Sequence, residues 1–339
     1  LRRLIADELE VELPATLLFD YPTLEKMRSR VVEVTCSGEE EDESEEEDRR
    51  GFGGRKLMIR GEEREVVVAG SACRFGRNWT TAELWTAFME GRDESSEVSS
   101  RRWKWEEAGE ASRWGGFFVG IEEFDAGFFN ISPREAKAMD PQHRMLLECA
   151  WEVAESAGRD PMGLKEDKGR TGVYVGVASG DYATRFGSKD ALDFGSTGVA
   201  GSAAAGRVSY MLGVTGTAIS IDTACSSSLV AMSQASKALL SGAEAKALCF
   251  GTNSICKEDG YVVDSKLGML SPDGRCKTFD ESANGYVRGE GCGALLLRRV
   301  GAGEEGALAR VRGKAVNQDG RSNGRNRNKR WQTERQELM

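Results

Sequence analysis

A layered α/β fold is what this sequence predicts, and three observations predict it. From about Glu65 onward, short apolar runs alternate with segments of helical periodicity. Glycines separate those segments at nearly every junction. Hydrophobic residues make up 40% of the 339, enough for a large core. No repeat appears at the short periods of solenoids.

The elements follow in order. Residues 1 to about 35 read as amphipathic helices, broken at "LPATLLFDYPT" (Leu13–Thr23). Residues 36–63 read as a linker, acidic and then Gly/Arg-rich. Within it, Glu39–Asp48 carries nine acids around Ser44, a run that repels itself and reads as a disordered spacer. Ser44 is a phosphorylation candidate, though a plain solvated spacer explains the run. "REVVVAGSACRFG" is a buried strand followed by a glycine loop. "MLLECAWEVAESAG" places Met145, Leu146, Cys149, Ala150, Val153, Ala154 and Ala157 at helical spacing and stops at Gly158. "TGVYVGVASGDY" and "AISID" are strands. "SLVAMSQASKALLSG" is a helix ended by Gly242, and "ALCFGTNS", "GCGALLLRRV" and "ALARVRGKAV" are further strands.

Composition narrows the function. The net charge of −9 is concentrated in the acidic run, and the rest shows no basic face suited to nucleic acid. Eight scattered cysteines without a CxxC pair, and one histidine, give no zinc pattern and suit a reduced, cytoplasmic protein. No apolar run approaches the ~18 residues of a membrane span, and no secretory signal is present. The first residue is Leu1, so the sequence reads as a piece of something longer, and organelle targeting stays open.

The chemistry-bearing stretch is "SIDTACSSSLVAM" (Ser220–Met232), with Cys225 between a strand and a helix. A nucleophile needs exposure, activation and a nearby oxyanion site. A strand-to-helix turn pushes the side chain outward. The helix N-terminus offers unpaired N–H groups and a partial positive charge that favours thiolate. The Cys225 N–H can point at a developing oxyanion, and Ala224, Ser226, Ser227 and Ser228 leave room for a substrate. The alternative is that Cys225 is one more buried, inert thiol.

Several motifs in one order carry a resemblance. "DTACSSSLVA" resembles the nucleophile motif of β-ketoacyl synthase domains of type I polyketide synthases. "FDAGFFNISPREAKAMDPQHRMLLECAWEVAESAG", "TGVYVGVASGDY", "AGRVSYMLGVTG", "LSPDGRCKTFDESANGYVRGEGCGALLL" and "GKAVNQDGRSNG" are similar to further signatures of that domain, across about Glu65–Gly324. The leader "LRRLIADELEVELPATLLFDYPTLEKM" resembles the last two helices of an acyl carrier protein domain, without its phosphopantetheine-bearing serine.

The resemblance implies a thiolase-like αβαβα fold, here its first half plus the first strands of the second. It divides the chain into a carrier remnant (1–35), linker (36–63), incomplete ketosynthase (64–324) and divergent basic tail (325–339). It implies decarboxylative Claisen condensation through acyl-Cys225, with no directly bound cofactor. Substrates would arrive on the phosphopantetheine of carrier domains, and the domain would form a homodimer. The family's two catalytic histidines and second oxyanion amide lie C-terminally, where "RNRNKRWQTERQELM" does not resemble it. His143 in "DPQHR" is not a family catalytic position and reads as a helix-start residue making local hydrogen bonds. This 339-residue chain is therefore expected to be incomplete or inactive, through a shifted frame, an alternative end or a damaged gene. A non-catalytic dimerising or acyl-binding scaffold is the rival. A thiolase, with a second cysteine in place of the histidines, fits "DTACSSS" less well. The glycines of "GEGCG" suggest a turn into a buried strand more than a nucleotide loop. "NQDGRSNG" reads either as a surface loop or, by resemblance, as a neighbour of the active site.

Overall fold

The computed structural model describes residues 64–104, 112–166, 169–178, 180–185, 195–301 and 306–318. The expected carrier remnant, linker and basic tail, with Ser44 and the end of "NQDGRSNG", lie outside these residues.

The frame is a six-stranded mixed sheet in the order β5-β4-β6-β8-β1-β9. Its strands are β1 (Arg64–Phe75), β4 (Thr171–Val177), β5 (Ala218–Ile221), β6 (Lys246–Asn253), β8 (Gly291–Gly301) and β9 (Ala309–Val311). β4 pairs in parallel with β5 and β6, whereas β8 runs antiparallel to β6 and β1. β2 (Ser96–Glu97), β3 (Trp114–Gly116) and β7 (Arg288–Gly289) form a small second sheet.

Helices cover both faces of the large sheet. The described helices are α1 (Thr81–Met89), α2 (Pro133–Ala138), α3 (Pro141–Ser156), α4 (Gly195–Val199), α5 (Gly201–Leu212), α6 (Ser227–Ser241) and α7 (Asp259–Lys266). Strand side chains alternate between faces. Val173, Val175, Leu248, Phe250, Ala294 and Leu296 pack with α3 and α5. Tyr174, Ala247, Cys249 and Leu297 pack with Ala231, Ala235 and Leu239 of α6. Such two-sided burial explains why β4 and β6 read as unbroken apolar runs.

β1 departs from the expected strand-then-loop. It continues through Gly70–Phe75 because the register shifts between Val68 and Gly70. That bulge moves Ala72 to the α3 face while Val66 and Val68 stay on the α6 face. A side chain at Gly70 would collide with Val153, Ser156 and Ala157, so glycine is what lets α3 close onto the bulge. The stop at Gly242 is as expected: φ is +81°, a left-handed helix end. The last strand is only three residues long, held on β1 by Val66↔Val311 and Val68↔Ala309.

Among the described residues no helix is long and apolar enough to cross a membrane, and no His/Cys/Asp/Glu group could hold a metal.

Candidate active site at the β5–α6 turn

β5 ends at Ile221 and α6 begins at Ser227, so five residues reverse the chain. Ala224 takes φ +55°, a left-handed conformation rare for a residue with a Cβ. Local bonds hold it there. Asp222 Oδ1 accepts from Ala224 N (2.9 Å), and Ser227 Oγ accepts from Thr223 N (2.9 Å). Ser227 Oγ–H in turn donates to the Ala224 carbonyl (2.6 Å), and Ser226 Oγ–H donates to that of Thr223 (2.9 Å). The serines that follow Cys225 thus knit the turn.

The sheet makes room for the turn through two glycines. Gly176 of β4 and Gly251 of β6 are cross-strand neighbours. A Cβ on Gly176 would strike the backbone of Ser227 and Ser228, and one on Gly251 would strike the Ser228 side chain. Their absence seats the first turn of α6 directly on the sheet. The Cys225 thiol is left exposed.

Cys225 lies in a cleft of about 910 Å³ whose walls are mostly apolar, with Phe75, Leu229, Met232 and Phe250 among the lining residues. One corner is polar: Asp264, Tyr286 and Arg288 line the same cleft. Arg288 Nη1–H donates to Asp264 Oδ2 (2.8 Å), and Tyr286 Oη–H donates to the same oxygen (3.2 Å). Burial, and then the Asp264 charge, push the Tyr286 hydroxyl up, so it stays protonated as a donor. Sequence reasoning missed this trio: Tyr286 and Arg288 fall inside a quoted signature, but Asp264 lies on a separate segment and local spacing does not pair them.

Glu290 of "GEGCG" closes the floor. It accepts two bonds from Arg102 (2.6 and 2.7 Å) and one each from the Phe118 and Ile255 N–H groups. Next to it Gly291 adopts φ +146°, where a Cβ would strike the Arg74 carbonyl. The glycines therefore serve the turn into β8, as expected.

The other cysteines divide sharply. Burial pushes the Cys73 thiol up to about 11 and the Cys256 thiol to about 12. Cys149 and Cys249 are also raised, by a bond to Cys292 and burial in the first case and by burial in the second. Cys276, like Cys225, is exposed.

His143 sits in the first turn of α3, is 2% exposed, and does not line the cleft. Its backbone N–H makes the local hydrogen bond expected of a helix-start residue, to the Asp140 carbonyl (2.9 Å), while its ring Nδ1 has no partner among the described residues. Burial and the Arg207 charge lower its pKa to about 4, so the ring is neutral at pH 7.

The fold has counterparts among known proteins. The family described as "Beta-ketoacyl synthase, N-terminal domain" matches residues 63–302. Polyketide synthase GfsA of Streptomyces halstedii is 42% identical over 328 residues, covering 92% of this chain and 4% of that protein. A mycocerosic acid synthase-like polyketide synthase of Mycolicibacterium smegmatis is 42% identical over 272 residues, covering 76% and 13%. An oxazolomycin ketosynthase domain of Streptomyces albus superposes with a TM-score of 0.65 at 37% identity, covering 70% of this chain and 42% of that one. The ketosynthase from module 6 of the bacillaene synthase of Bacillus subtilis gives 0.64 at 36%, covering 70% and 40%. The chain thus spans a small part of the curated relatives and about two fifths of the solved domains. With the layered sheet and the seated α6 turn, these matches show that the chain belongs to the beta-ketoacyl synthase family, as a ketosynthase domain of the polyketide synthase kind.

Proposed function

We propose that Cys225 is the acyl acceptor of a decarboxylative condensation between thioesters. The observation that carries this is an exposed thiol on a strained strand-to-helix turn, opening into an apolar cleft. In the first step the Cys225 thiolate attacks the carbonyl carbon of an acyl thioester. A new C–S bond forms, the old one breaks, and the departing thiol takes up the proton that Cys225 lost. The unpaired amide groups that a helix start offers would stabilise the developing oxyanion. A malonyl-type thioester then loses carbon dioxide, and its carbanion attacks the acyl-cysteine, giving a β-ketoacyl thioester two carbons longer and free Cys225.

The acyl donor and the extender would both ride on phosphopantetheine arms of acyl carrier domains, with no cofactor bound by this domain. The edge strand β5 supports a homodimer: among the described residues its outer side has no strand partner, and Ile219 and the nearby Tyr210 of α5 are exposed. The carrier remnant, linker, ketosynthase and tail boundaries proposed from the sequence belong to the same reading.

A second reading, an acyl-binding scaffold, has one observation in its favour. The single histidine of these 339 residues is buried away from the cleft. The resemblance assigns stabilisation of the developing charge to two histidines beyond His143, and losing one such donor typically costs about 10²–10³ in rate. The 339-residue chain is therefore expected to form acyl-Cys225 and to make no β-ketoacyl product. The test supplies an acyl thioester and a malonyl-carrier thioester and follows both species by mass spectrometry. Acylation abolished by Cys225→Ala supports the assignment; acylation that persists in that variant overturns it. Product that depends on Cys225 would remove the scaffold reading.

A further inference from the structure

The polar corner of the Cys225 cleft is a built feature. Asp264 comes from α7, Arg288 from β7, and Tyr286 from the segment between them. The backbone fixes Tyr286 on both sides, with Tyr286 N–H donating to the Met269 carbonyl (2.9 Å) and its carbonyl accepting from Ser271 N–H (2.9 Å). The Arg288 guanidinium lies over the ring of buried Tyr261, 5.5 Å from its centre. Gly260 leaves it that space, since a Cβ there would strike Arg288 Nη1. The side chains of Arg288 and Asp264 are 23% and 21% exposed, so the pair is neither fully solvated nor sealed. Nη1 holds Asp264, and Arg288 lines the cleft beside it.

A saturated acyl chain lying along this wall would strip water from an ion pair and a phenol and offer nothing in return, an unfavourable exchange. A chain carrying a hydroxyl or keto oxygen would replace that water with a charge-assisted hydrogen bond. From the juxtaposition of Asp264, Tyr286 and Arg288 with Cys225 in one cleft, we propose that this trio is a specificity wall that selects oxygenated acyl chains over saturated ones. The proposal rests on Cys225 as acyl acceptor and adds which chain it accepts. All three residues act by contact with the chain, not on the reacting carbon.

The test uses the full 339-residue chain. Acylation of Cys225 by N-acetylcysteamine thioesters of hexanoic, 3-hydroxyhexanoic and 5-hydroxyhexanoic acid is timed by mass spectrometry. The wild type is expected to favour at least one hydroxylated chain about tenfold, the size of one such hydrogen bond. The double variant Asp264→Leu/Arg288→Met removes both charges together, so neither is left stranded. Its hydroxyl preference should fall to about one. Tyr286→Phe, a minimal change that keeps the ring, should reduce the preference in part. Equal rates for all chains in the wild type would overturn the wall, as would a preference that survives the double variant. A uniform loss for every chain would also overturn it, placing the trio against the shared cysteamine arm. Binding of the matching unreactive amides is measured by calorimetry. If no chain acylates Cys225, the reading of the thiol fails, and a hydroxyl preference in amide binding still supports the wall while equal amide binding sinks it.

Discussion

Ala224 holds a left-handed conformation, φ +55°, one residue ahead of the thiol. A non-glycine residue there stores about 1–3 kcal/mol of strain. Ala224→Val adds a branched Cβ to that position, and urea denaturation should find it about 1–2 kcal/mol less stable than Ala224→Gly. Equal stability would mean the turn relaxes. Thiol reactivity is the second test at this scale. Under sub-stoichiometric iodoacetamide and peptide mapping, Cys225 should label first, with exposed Cys276 the competitor and buried Cys73 and Cys256 spared. Preferential labelling of Cys73 or Cys256 would contradict their burial. Cys225 stands out in the sequence because small residues flank it between two strong periodic signals. Cys276 and the Asp264–Tyr286–Arg288 trio do not, because exposure and long-range pairing leave no trace at local spacing.

At the scale of elements, the seat of α6 depends on what β4 and β6 lack. Gly251→Val should destabilise the chain by about 1–3 kcal/mol, the usual range for overpacking, and slow Cys225 labelling as α6 lifts. Unchanged stability would show that the helix already rides free of the sheet. The order of strands and helices, and the ends of α3 and α6, were legible because apolar periodicity and a terminal glycine mark them. The continuation of β1 was not. The bulge at Val68–Gly70 turns an apolar run and a glycine loop into one strand, and only the partner β8 specifies that register. The role of Glu290 was hidden for the same reason, since its partner Arg102 lies 188 positions away.

Across the whole molecule, acid should act in two opposed ways. His143 has its folded pKa lowered to about 4 from 6.5, so the unfolded chain takes the proton first and stability falls as pH drops from 6.5 towards 4. Glu148, on the same helix, is raised by burial from 4.5 to about 7 despite nearby Arg74. Its folded form takes the proton first, so stability rises as pH drops from 7 towards 4.5. Glu148→Gln should therefore expose the His143 slope, with up to about 3 kcal/mol lost between pH 6.5 and 4. Buried Asp140 and Glu290 are also raised and oppose this slope, so denaturation midpoints at stepped pH compare the variant with His143→Phe/Glu148→Gln; equal profiles for the two would show that His143 does not carry the loss. The edge of the sheet gives a further expectation. If β5 is the proposed dimer edge, Ile219→Lys should shift sedimentation from dimer to monomer, because a charge blunts strand pairing; no shift would place the dimer edge elsewhere.

The pairing of β1 with β8 has a consequence for how this protein is made. Arg64 lies opposite Gly301, so the first strand of the sheet waits for nearly the last. At roughly 5–20 residues per second, a ribosome needs on the order of 10–50 s to deliver that partner. For all that time β1 is an apolar strand without neighbours, and the parallel β4–β6 core assembles beside an open place. Nascent chains stalled before β8 should be cut readily within β1 by a protease, and chains released after β8 should resist. Birth on the ribosome, more than life after folding, is when this molecule most needs a chaperone.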